Sequence, residues 1–269
     1  MRNNKLLTYF LFICTIACNN AMAGETQFPV NIGSAFLHGS IDGFLQTPAG
    51  GNPGTTSSER PTFDELGFNT VSIYDGYVGV NRGRHEILVG AQFVRLSGRS
   101  TLSKDLTSQN RNFSAGEVVD ADIKTDWYRV NYLYQLMALH VLGKSVIISP
   151  GAGVVLFDFH YELTGPEHKV DRACSKVGCR LGGELNWILT DKLSLKAHAF
   201  GSLPFPKTPS ILSIELQGQY QLRKGRYINA KAVAGAAYNR IDREGGGTIP
   251  NHIRVEMGPL LKVGMNLEF

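Results

Sequence analysis

The sequence predicts an all-β fold, a single closed antiparallel barrel of about ten strands, with about eight or about twelve strands as the alternatives. Three observations support this prediction. Apolar residues recur at every second position in many segments, as they do in a β-strand with one apolar side. The connectors between these segments alternate between short and long. After the N-terminus, no stretch supplies the roughly 20 consecutive apolar residues that a membrane-spanning helix needs.

The first segment of the chain has the pattern of an export signal. Arg2 and Lys5 precede an apolar run over residues 6–17, and Ala21-Met22-Ala23 supplies the small residues that signal peptidase requires. We therefore expect cleavage after Ala23. Residues 1–23 would then be a signal peptide, and residues 24–269 would form one barrel domain.

The composition favours an ordinary folded domain and gives no indication of a nucleic-acid partner. Of the 269 residues, 43% are hydrophobic and 19% are charged, so the chain can bury a core. Residues 1–23 contain two of the 27 basic residues and none of the 23 acidic ones, which leaves 25 basic and 23 acidic residues after cleavage. So small an excess of positive charge is not an electrostatic footprint for nucleic acid.

Four cysteines are present, and two of them fall within the signal. Cys14 and Cys18 leave with it, unless Cys18 is a lipoprotein cysteine. Thr15 argues against that alternative because lipoprotein signals usually carry leucine there. Cys174 and Cys179 remain, and we interpret them either as a disulfide formed in an oxidising compartment or as two small apolar residues that face lipid or core. No second cysteine pair supports a zinc site, and we expect no metal and no cofactor.

The clearest strand is the last one, residues 253–269. Its odd positions are apolar, whereas its even positions are mostly polar, charged or glycine. The apolar positions are Ile253, Val255, Met257, Pro259, Leu261, Val263, Met265, Leu267 and Phe269. Period two indicates a strand with one apolar side. Alternation alone, however, fits a soluble sheet as well as the wall of a membrane barrel.

The same period recurs upstream and defines the other strands. It is most regular in the C-terminal half, where residues 212–222 alternate between apolar residues and a complete polar side. In the N-terminal half the period is less regular, and the inward and outward sides of several segments stay ambiguous. The predicted strands cover residues 28–44, 68–80, 85–97, 128–136, 145–161, 177–189, 193–199, 212–222, 228–238 and 253–269. Their number is even, as bacterial single-chain membrane barrels require.

The connectors separate a membrane barrel from a soluble sheet. The short ones are residues 81–84, 139–143, 190–192 and 223–226. The long ones are residues 45–67, 98–125 and 162–175, followed by the shorter 204–209 and the glycine-rich 243–251. Short turns at one end and long loops at the other are typical of membrane barrels, in which the short turns are periplasmic and the long loops extracellular. We therefore expect the odd positions of the last strand to face lipid.

With these features, the chain resembles the outer-membrane β-barrel proteins of Gram-negative bacteria. Its terminal pattern, Leu261-x-Val263-x-Met265-x-Leu267-x-Phe269, is similar to the C-terminal assembly signal of that family. The resemblance implies location in the outer membrane, contact with its lipids, and recognition by the barrel-assembly machinery during biogenesis. Omptin surface proteases and some neisserial adhesins share the strand count, but no motif here allows a catalytic residue to be carried over. The surface ligand is not identified.

Charged residues of both signs fall on the expected inner side of the strands. These residues are Glu184, Lys196, Glu215, Lys231, Arg254, Glu256 and Lys262. We expect them to form a salt-bridge network across adjacent strands, because the side chains of so small a barrel largely fill its interior. A selective channel would instead carry rings of one sign.

Several functions remain open at this stage. A structural or surface-interaction barrel ranks first, a narrow porin or channel second, and a barrel-embedded hydrolase third, with a soluble periplasmic barrel binder as the non-membrane alternative. His198 is the only weak catalytic candidate, because Ser194 or Ser202 shares its side and Glu184 is expected on a neighbouring strand. Such coincidences are common, so we predict no catalytic residue. Asp120, Asp122 and Asp126 are interpreted as solvated rather than as calcium ligands.

Overall fold

The computed structural model describes residues 29–46, 60–203, 208–245 and 252–269. The signal peptide, the lipoprotein alternative at Cys18 and parts of three connectors lie outside these residues. The described strands are β1 (Val30–Gln46), β2 (Thr70–Arg82), β3 (His85–Thr101), β4 (Leu106–Ser108), β5 (Arg111–Phe113), β6 (Val118–Tyr134), β7 (Met137–Val141), β8 (Lys144–Thr164), β9 (Lys169–Ile188), β10 (Leu193–Ser202), β11 (Ser210–Lys224), β12 (Asn229–Glu244) and β13 (His252–Glu268). Within the described ranges, no helix is long and apolar enough to cross a membrane.

The strands close into an antiparallel barrel. Each wall strand pairs with its neighbours in the chain, β13 pairs with β1, and β6 pairs with both β3 and β8. β6 and β7 are two parts of one wall strand, because both pair with β8. The short hairpin of β4 and β5 stands apart from the wall. The described residues therefore form ten wall strands, which confirms the predicted fold class and the even strand count.

The two ends of the barrel differ. One end, which we call the turn end, carries short turns at residues 83–84, 142–143, 189–192 and 225–228. The first and last strands also meet there, since the carbonyl of Val30 accepts a hydrogen bond of 2.8 Å from Phe269 N. The opposite end, the loop end, carries the β4–β5 hairpin. The predicted long connector 162–175 is wrong, because β8 continues to Thr164 and β9 begins at Lys169, which leaves only residues 165–168 as a turn. The predicted connector 98–125 is shorter for the same reason, because β3 continues to Thr101 and β6 begins at Val118.

An apolar belt surrounds the turn-end half of the barrel. On β13, Leu261 is 72% exposed and Val263 is 59% exposed, whereas Lys262 between them is 5% exposed. The outward apolar residues of β13 extend from Leu261 to Phe269, which matches the roughly 9–11 residues that a transmembrane strand needs. A closed barrel satisfies its backbone hydrogen bonds internally and leaves such a belt for lipid. The protein is therefore a membrane-spanning barrel of the outer-membrane type.

Aromatic side chains mark both borders of the belt. Towards the loop end, Phe36, Tyr74 and Phe93 occupy adjacent positions on β1, β2 and β3, and the rings of Phe36 and Tyr74 lie 5.4 Å apart. Towards the turn end, the hydroxyl of Tyr132 lies 2.6 Å from His85 Nδ1. Aromatic girdles of this kind sit at the two membrane interfaces of outer-membrane barrels.

A charge placed in the middle of the belt is expected to be costly. Met265→Arg should lower the free energy of unfolding by about 2–4 kcal/mol, because Met265 is the central outward residue of the belt on β13 and the guanidinium would face hydrocarbon near the bilayer centre. Ala173→Arg is the matched control: this residue also points outward, on β9, but lies beyond the belt, and its cost should stay within about 0.5 kcal/mol. Urea unfolding in phospholipid vesicles, followed by tryptophan fluorescence, measures both. Equal costs would contradict the assignment of the belt.

Beyond the belt, towards the loop end, the interior of the barrel becomes apolar and its outer surface becomes polar. On β8, Val154 points outward and is 45% exposed, whereas Phe157, Phe159 and Tyr161 point inward and are fully buried. They join a core that fills the loop end of the barrel and includes loop residues such as Phe63. We call this the loop-end core; its members include Leu37, Ile73, Val94, Ile123, Phe157, Phe159, Leu66, Leu106 and Phe113. The barrel thus has a polar lumen below and an apolar core above.

A β-bulge in β13 lies where this exchange occurs. The pairing of β13 with β1 passes from Gly39↔Leu260 to Ile41↔Met257, so that Gly258-Pro259 faces a single residue of β1. The pairing with β12 shifts at the same place. One extra residue reverses the inward and outward positions of everything beyond it.

The bulge overturns part of the predicted pattern of the last strand. Ile253, Val255 and Met257 lie in the loop-end core and are at most 3% exposed, so they do not face lipid. Arg254 and Glu256 point outward, because they share the opposite side of the strand. The prediction that Arg254 and Glu256 belong to a lumen network is therefore wrong, and the cause is the inserted residue.

The disulfide alternative is also wrong. Cys174 and Cys179 are free thiols on the single strand β9. Five residues of extended chain separate their Cα atoms by roughly 16 Å, whereas a disulfide requires about 4.4–6.8 Å. They also lie on opposite sides of the strand: Cys174 packs against the loop-end core and Cys179 is exposed in the apolar belt. The other interpretation, two small residues that face core and lipid, describes them correctly.

Candidate functional site

The lumen below the loop-end core holds the densest group of buried charges in the described residues. Period two along each strand turns these side chains inward, and the strand register sets them at similar depth. We call this group the lumen charge cluster. It consists of Asp75 on β2, Arg129 on β6, Glu184 on β9, Lys196 on β10, Glu215 on β11 and Lys262 on β13.

Two of the ion pairs are formed by residues that the sequence placed inside. Lys196 Nζ lies 2.7 Å from Glu184 Oε1, and their strands β9 and β10 are direct neighbours. Lys262 Nζ donates to Glu215 Oε1 over 2.6 Å. The Lys262 side chain is 5% exposed and the Glu215 side chain 13% exposed, so water screens this pair poorly.

The cluster also contains a pair that the sequence analysis missed. Arg129 Nη2 donates to Asp75 Oδ1 over 2.7 Å, and Asp75 Oδ2 lies 3.8 Å from Lys262 Nζ. Lys262 therefore stands between two carboxylates, Glu215 and Asp75. Glu86 lines the same space and accepts a hydrogen bond of 3.1 Å from Asn31 Nδ2. Charges of both signs are mixed around the lumen, and no ring of one sign is formed among the described residues.

The space between these side chains is small. A cavity of about 50 Å³ lies at the centre of the cluster, also lined by Tyr77, Asn131 and Gln217. A water molecule needs roughly 10–15 Å³ of such space, so the cavity has room for a few waters. On the loop-end side, the loop-end core closes the lumen with side chains such as Phe157 and Leu37, which are fully buried. The lumen is therefore closed at the loop end, whereas a larger cavity of about 150 Å³ lies towards the turn end, beside Gln219 and Lys231.

The other predicted charges lie elsewhere. Lys231 pairs with Glu268 near the turn end, on neighbouring strands. Arg254 and Glu256 form an ion pair with each other on the outer surface beyond the bulge. Arg240 and His252 join that surface group through Asp242, at 2.9 Å and 2.8 Å. The predicted network is therefore split into a lumen group and an outer-surface group.

No catalytic arrangement is assembled around His198. The ring is partly buried in the lumen and packs edge-on against Phe200, with centroids 5.2 Å apart. Glu184 lies opposite His198 in the strand register, but its carboxylate is engaged by Lys196. Ser202 donates to the carbonyl of Pro209 over 2.9 Å and accepts from the backbone N–H of residue 211 over 2.6 Å. These contacts supply neither a nucleophile nor a path for a substrate.

Comparison with known proteins finds only distant similarity to solved structures. No protein-family model and no curated protein matches this sequence. The outer membrane protease OmpT from Escherichia coli is similar with a TM-score of 0.44 and 10% identity, over 89% of this chain and 97% of that chain. The attachment invasion locus protein Ail of Yersinia pestis has a TM-score of 0.34 and 9% identity, over 90% and 99%. The translocator domain of autotransporter NalP from Neisseria meningitidis has a TM-score of 0.37 and 9% identity, over 97% and 96%. Such distant similarities transfer no activity.

Proposed function

We propose that this protein is a closed outer-membrane barrel with a structural or surface-interaction role, and that it does not conduct solutes. The loop-end core is the observation that carries the proposal. A pore needs a continuous aqueous path, and the large side chains of this core, including Phe113 and Phe159, are fully buried where such a path would run. The mixed charges of the lumen charge cluster agree with this, because their ion pairs neutralise one another.

The length of the strands supports a role at the cell surface. β8 has 21 residues and β9 has 20 residues, about twice the roughly 9–11 residues that cross the membrane. The excess lies at the loop end, where the core is apolar and the outer surface is polar. This part of the wall is organised like a water-soluble β-barrel and extends beyond the membrane. It offers a rigid surface for a partner outside the cell.

Recording in planar bilayers tests the proposal. We expect no stable conductance steps from the purified protein, with a reconstituted porin as the positive control. Large, stable steps would replace the closed barrel with the narrow porin. Solubility without detergent would favour the periplasmic binder instead, although the apolar belt argues against it because such a surface would be exposed to water.

The export signal is the second part of the proposal. We propose that cleavage after Ala23 releases the mature chain for the outer membrane, on the basis of Arg2, Lys5 and the small residues before the cut. Intact-mass measurement of protein extracted from outer membranes should give a chain that begins at Gly24. An acylated chain that begins at Cys18 would instead make this protein a lipoprotein.

Assembly by the barrel-assembly machinery is the third part. The outward residues of β13 that we propose as the signal are Leu261, Val263, Met265, Leu267 and Phe269. Removing Phe269 is expected to slow assembly more than it lowers final stability, because Phe269 lies at the border of the belt and is 40% exposed. Pulse-chase labelling with heat-modifiable mobility as the readout measures the rate. Wild-type kinetics in the deletion variant would exclude Phe269 from the signal.

A further inference from the structure

Three metal-ligating side chains converge on the outer wall of the loop end. His160 and Glu162 stand two residues apart on β8 and so share its outward side, and Asp171 on β9 is paired directly with Glu162. Their ligand atoms, one from each residue, all lie within 4.8 Å of one another. They are at least partly exposed, so an ion in solution has access to them. The backbone of Asp171 is also held from outside the wall, because Gln109 Nε2 donates to its carbonyl over 2.8 Å.

The spacing of the imidazole and the carboxylate fits a shared ion better than a direct bond. His160 Nδ1 lies 3.6 Å from Asp171 Oδ1, which is too long for a hydrogen bond. Two ligands at about 2.0–2.1 Å from a tetrahedral zinc ion are separated by roughly 3.4 Å. The two atoms therefore already stand close to the distance that a common metal ion would impose on them.

The charges around this group also favour binding of a cation. Glu162 is paired in register with Asp122 of β6 on one side and with Asp171 of β9 on the other. Like charges directly opposite each other in a sheet are destabilising. The nearest compensation in the described residues is Lys169, whose Nζ lies 2.7 Å from Glu162 Oε1. Lys124 of β6 is paired in register with His160, so two ammonium groups are set against three adjacent carboxylates.

We infer that His160, Glu162 and Asp171 form a binding site for a divalent transition-metal ion of the zinc class. A donor set of one imidazole nitrogen and two carboxylates suits zinc, copper and nickel, whereas calcium and magnesium take oxygen ligands. Three protein ligands leave a coordination position for water or for a group from a partner. The sequence predicted no metal site, because only the pairing of β9 with β8 brings Asp171 beside His160 and Glu162.

Lys169 competes with the metal for Glu162, which provides a specific test. Metal binding requires Glu162 to exchange an ammonium partner for the ion, so the wild-type affinity is reduced by that competition. Lys169→Met removes the competitor and should tighten binding severalfold. His160→Ala removes a ligand and should weaken binding at least about tenfold, since even the loss of a residue that merely supports a ligand costs that much.

The experiment uses the full barrel purified in detergent, with Zn²⁺ measured against a chromophoric chelator. The matched control is His140→Ala, because His140 is exposed on β7 at the opposite end of the barrel. Circular dichroism and heat-modifiable mobility establish that each variant is folded. We expect one Zn²⁺ per chain in the wild type and in His140→Ala.

Three results would overturn the assignment. The first is the absence of stoichiometric Zn²⁺ binding by the wild-type barrel. The second is unchanged affinity in His160→Ala, which would leave only a diffuse attraction of cations to carboxylates. The third is a Ca²⁺ affinity that equals the Zn²⁺ affinity and does not depend on His160, since that would describe an oxygen-only site.

Discussion

Glu215→Gln is expected to destabilise the barrel by about 3 kcal/mol, because it leaves the buried ammonium of Lys262 without its main partner. Lys262 is 5% exposed, so only the few waters of the central cavity can reach its ammonium, and they replace the carboxylate in part. Asp75 remains 3.8 Å from Lys262 Nζ and offsets part of the loss, but it already accepts a hydrogen bond from Arg129. Urea unfolding in lipid vesicles, followed by tryptophan fluorescence, measures the change.

The matched control for this prediction is Glu256→Gln. Both glutamates pair with a cation and both lie on the polar side of the sequence pattern, but Glu256 lies on the outer surface beyond the bulge, where its partner Arg254 is 40% exposed. An exposed pair contributes about 0–1 kcal/mol, so the control should cost little. If Glu256→Gln destabilised the barrel as much as Glu215→Gln, the reversal of sides at the bulge would be incorrect. If neither variant lost stability, the lumen would be water-filled.

The C-terminal strands could be predicted well because a polar lumen and a lipid belt impose opposite chemistry on alternate residues. On β11, Ile214 and Leu216 meet lipid while Gln217 and Gln219 are buried in the lumen, and the sequence carries this contrast directly. Lys196 and Glu184 follow from the same logic, since each lies on the polar side of a regular strand. The alternation therefore predicts the direction of side chains correctly wherever one side of a strand faces lipid and the other faces the polar lumen along the whole segment.

Pattern reasoning fails where the environments exchange. On β8 the lipid-facing residues Val154 and Leu156 are followed by the inward Phe157 and Phe159, so the apolar period changes phase within one strand and its sides look ambiguous. On β13 the bulge reverses the inward and outward positions at the same level at which the interior changes from polar to apolar and the exterior from apolar to polar. The two shifts cancel, and the apolar odd positions continue unbroken from Ile253 to Phe269. The most regular alternation in the sequence therefore conceals a reversal of the strand.

The lumen charge cluster could be predicted only in part for the same reason. Asp75 follows Val71 and Ile73 on the inner side of β2, and those two residues belong to the loop-end core. Because Asp75 lies on the same side of the strand as these apolar residues, the sequence pattern does not indicate that it faces the lumen. Arg129 stands between Tyr128 and Val130, which share one side of the strand, so its inward direction could have been deduced, but its partner Asp75 could not. Which residues meet across the barrel depends on closure between β1 and β13 and on register, neither of which the sequence displays.

The largest effect on stability is expected from the loop-end core. Phe159→Ala should lower the free energy of unfolding by about 3–5 kcal/mol, because a fully buried ring is removed and its neighbours cannot collapse into the space. Phe157 stacks next to it, with ring centroids 6.1 Å apart, and is itself fixed in the strand. Urea unfolding in lipid vesicles measures the change. If the Phe159→Ala variant still shows no conductance in planar bilayers, neighbouring side chains still close the lumen.

Asp158→Ala separates this effect from a general weakness of β8. Asp158 lies between the two phenylalanines in sequence but points outward, where its carboxylate accepts a hydrogen bond of 2.7 Å from Ser175. Losing an exposed hydrogen bond should cost no more than about 1 kcal/mol. A barrel whose loop end were open to water would give the reverse order, since Phe159 would then be a solvated side chain and its truncation nearly free. The difference between these neighbouring positions therefore measures whether the interior above the membrane is an apolar core, on which the closed-barrel proposal depends.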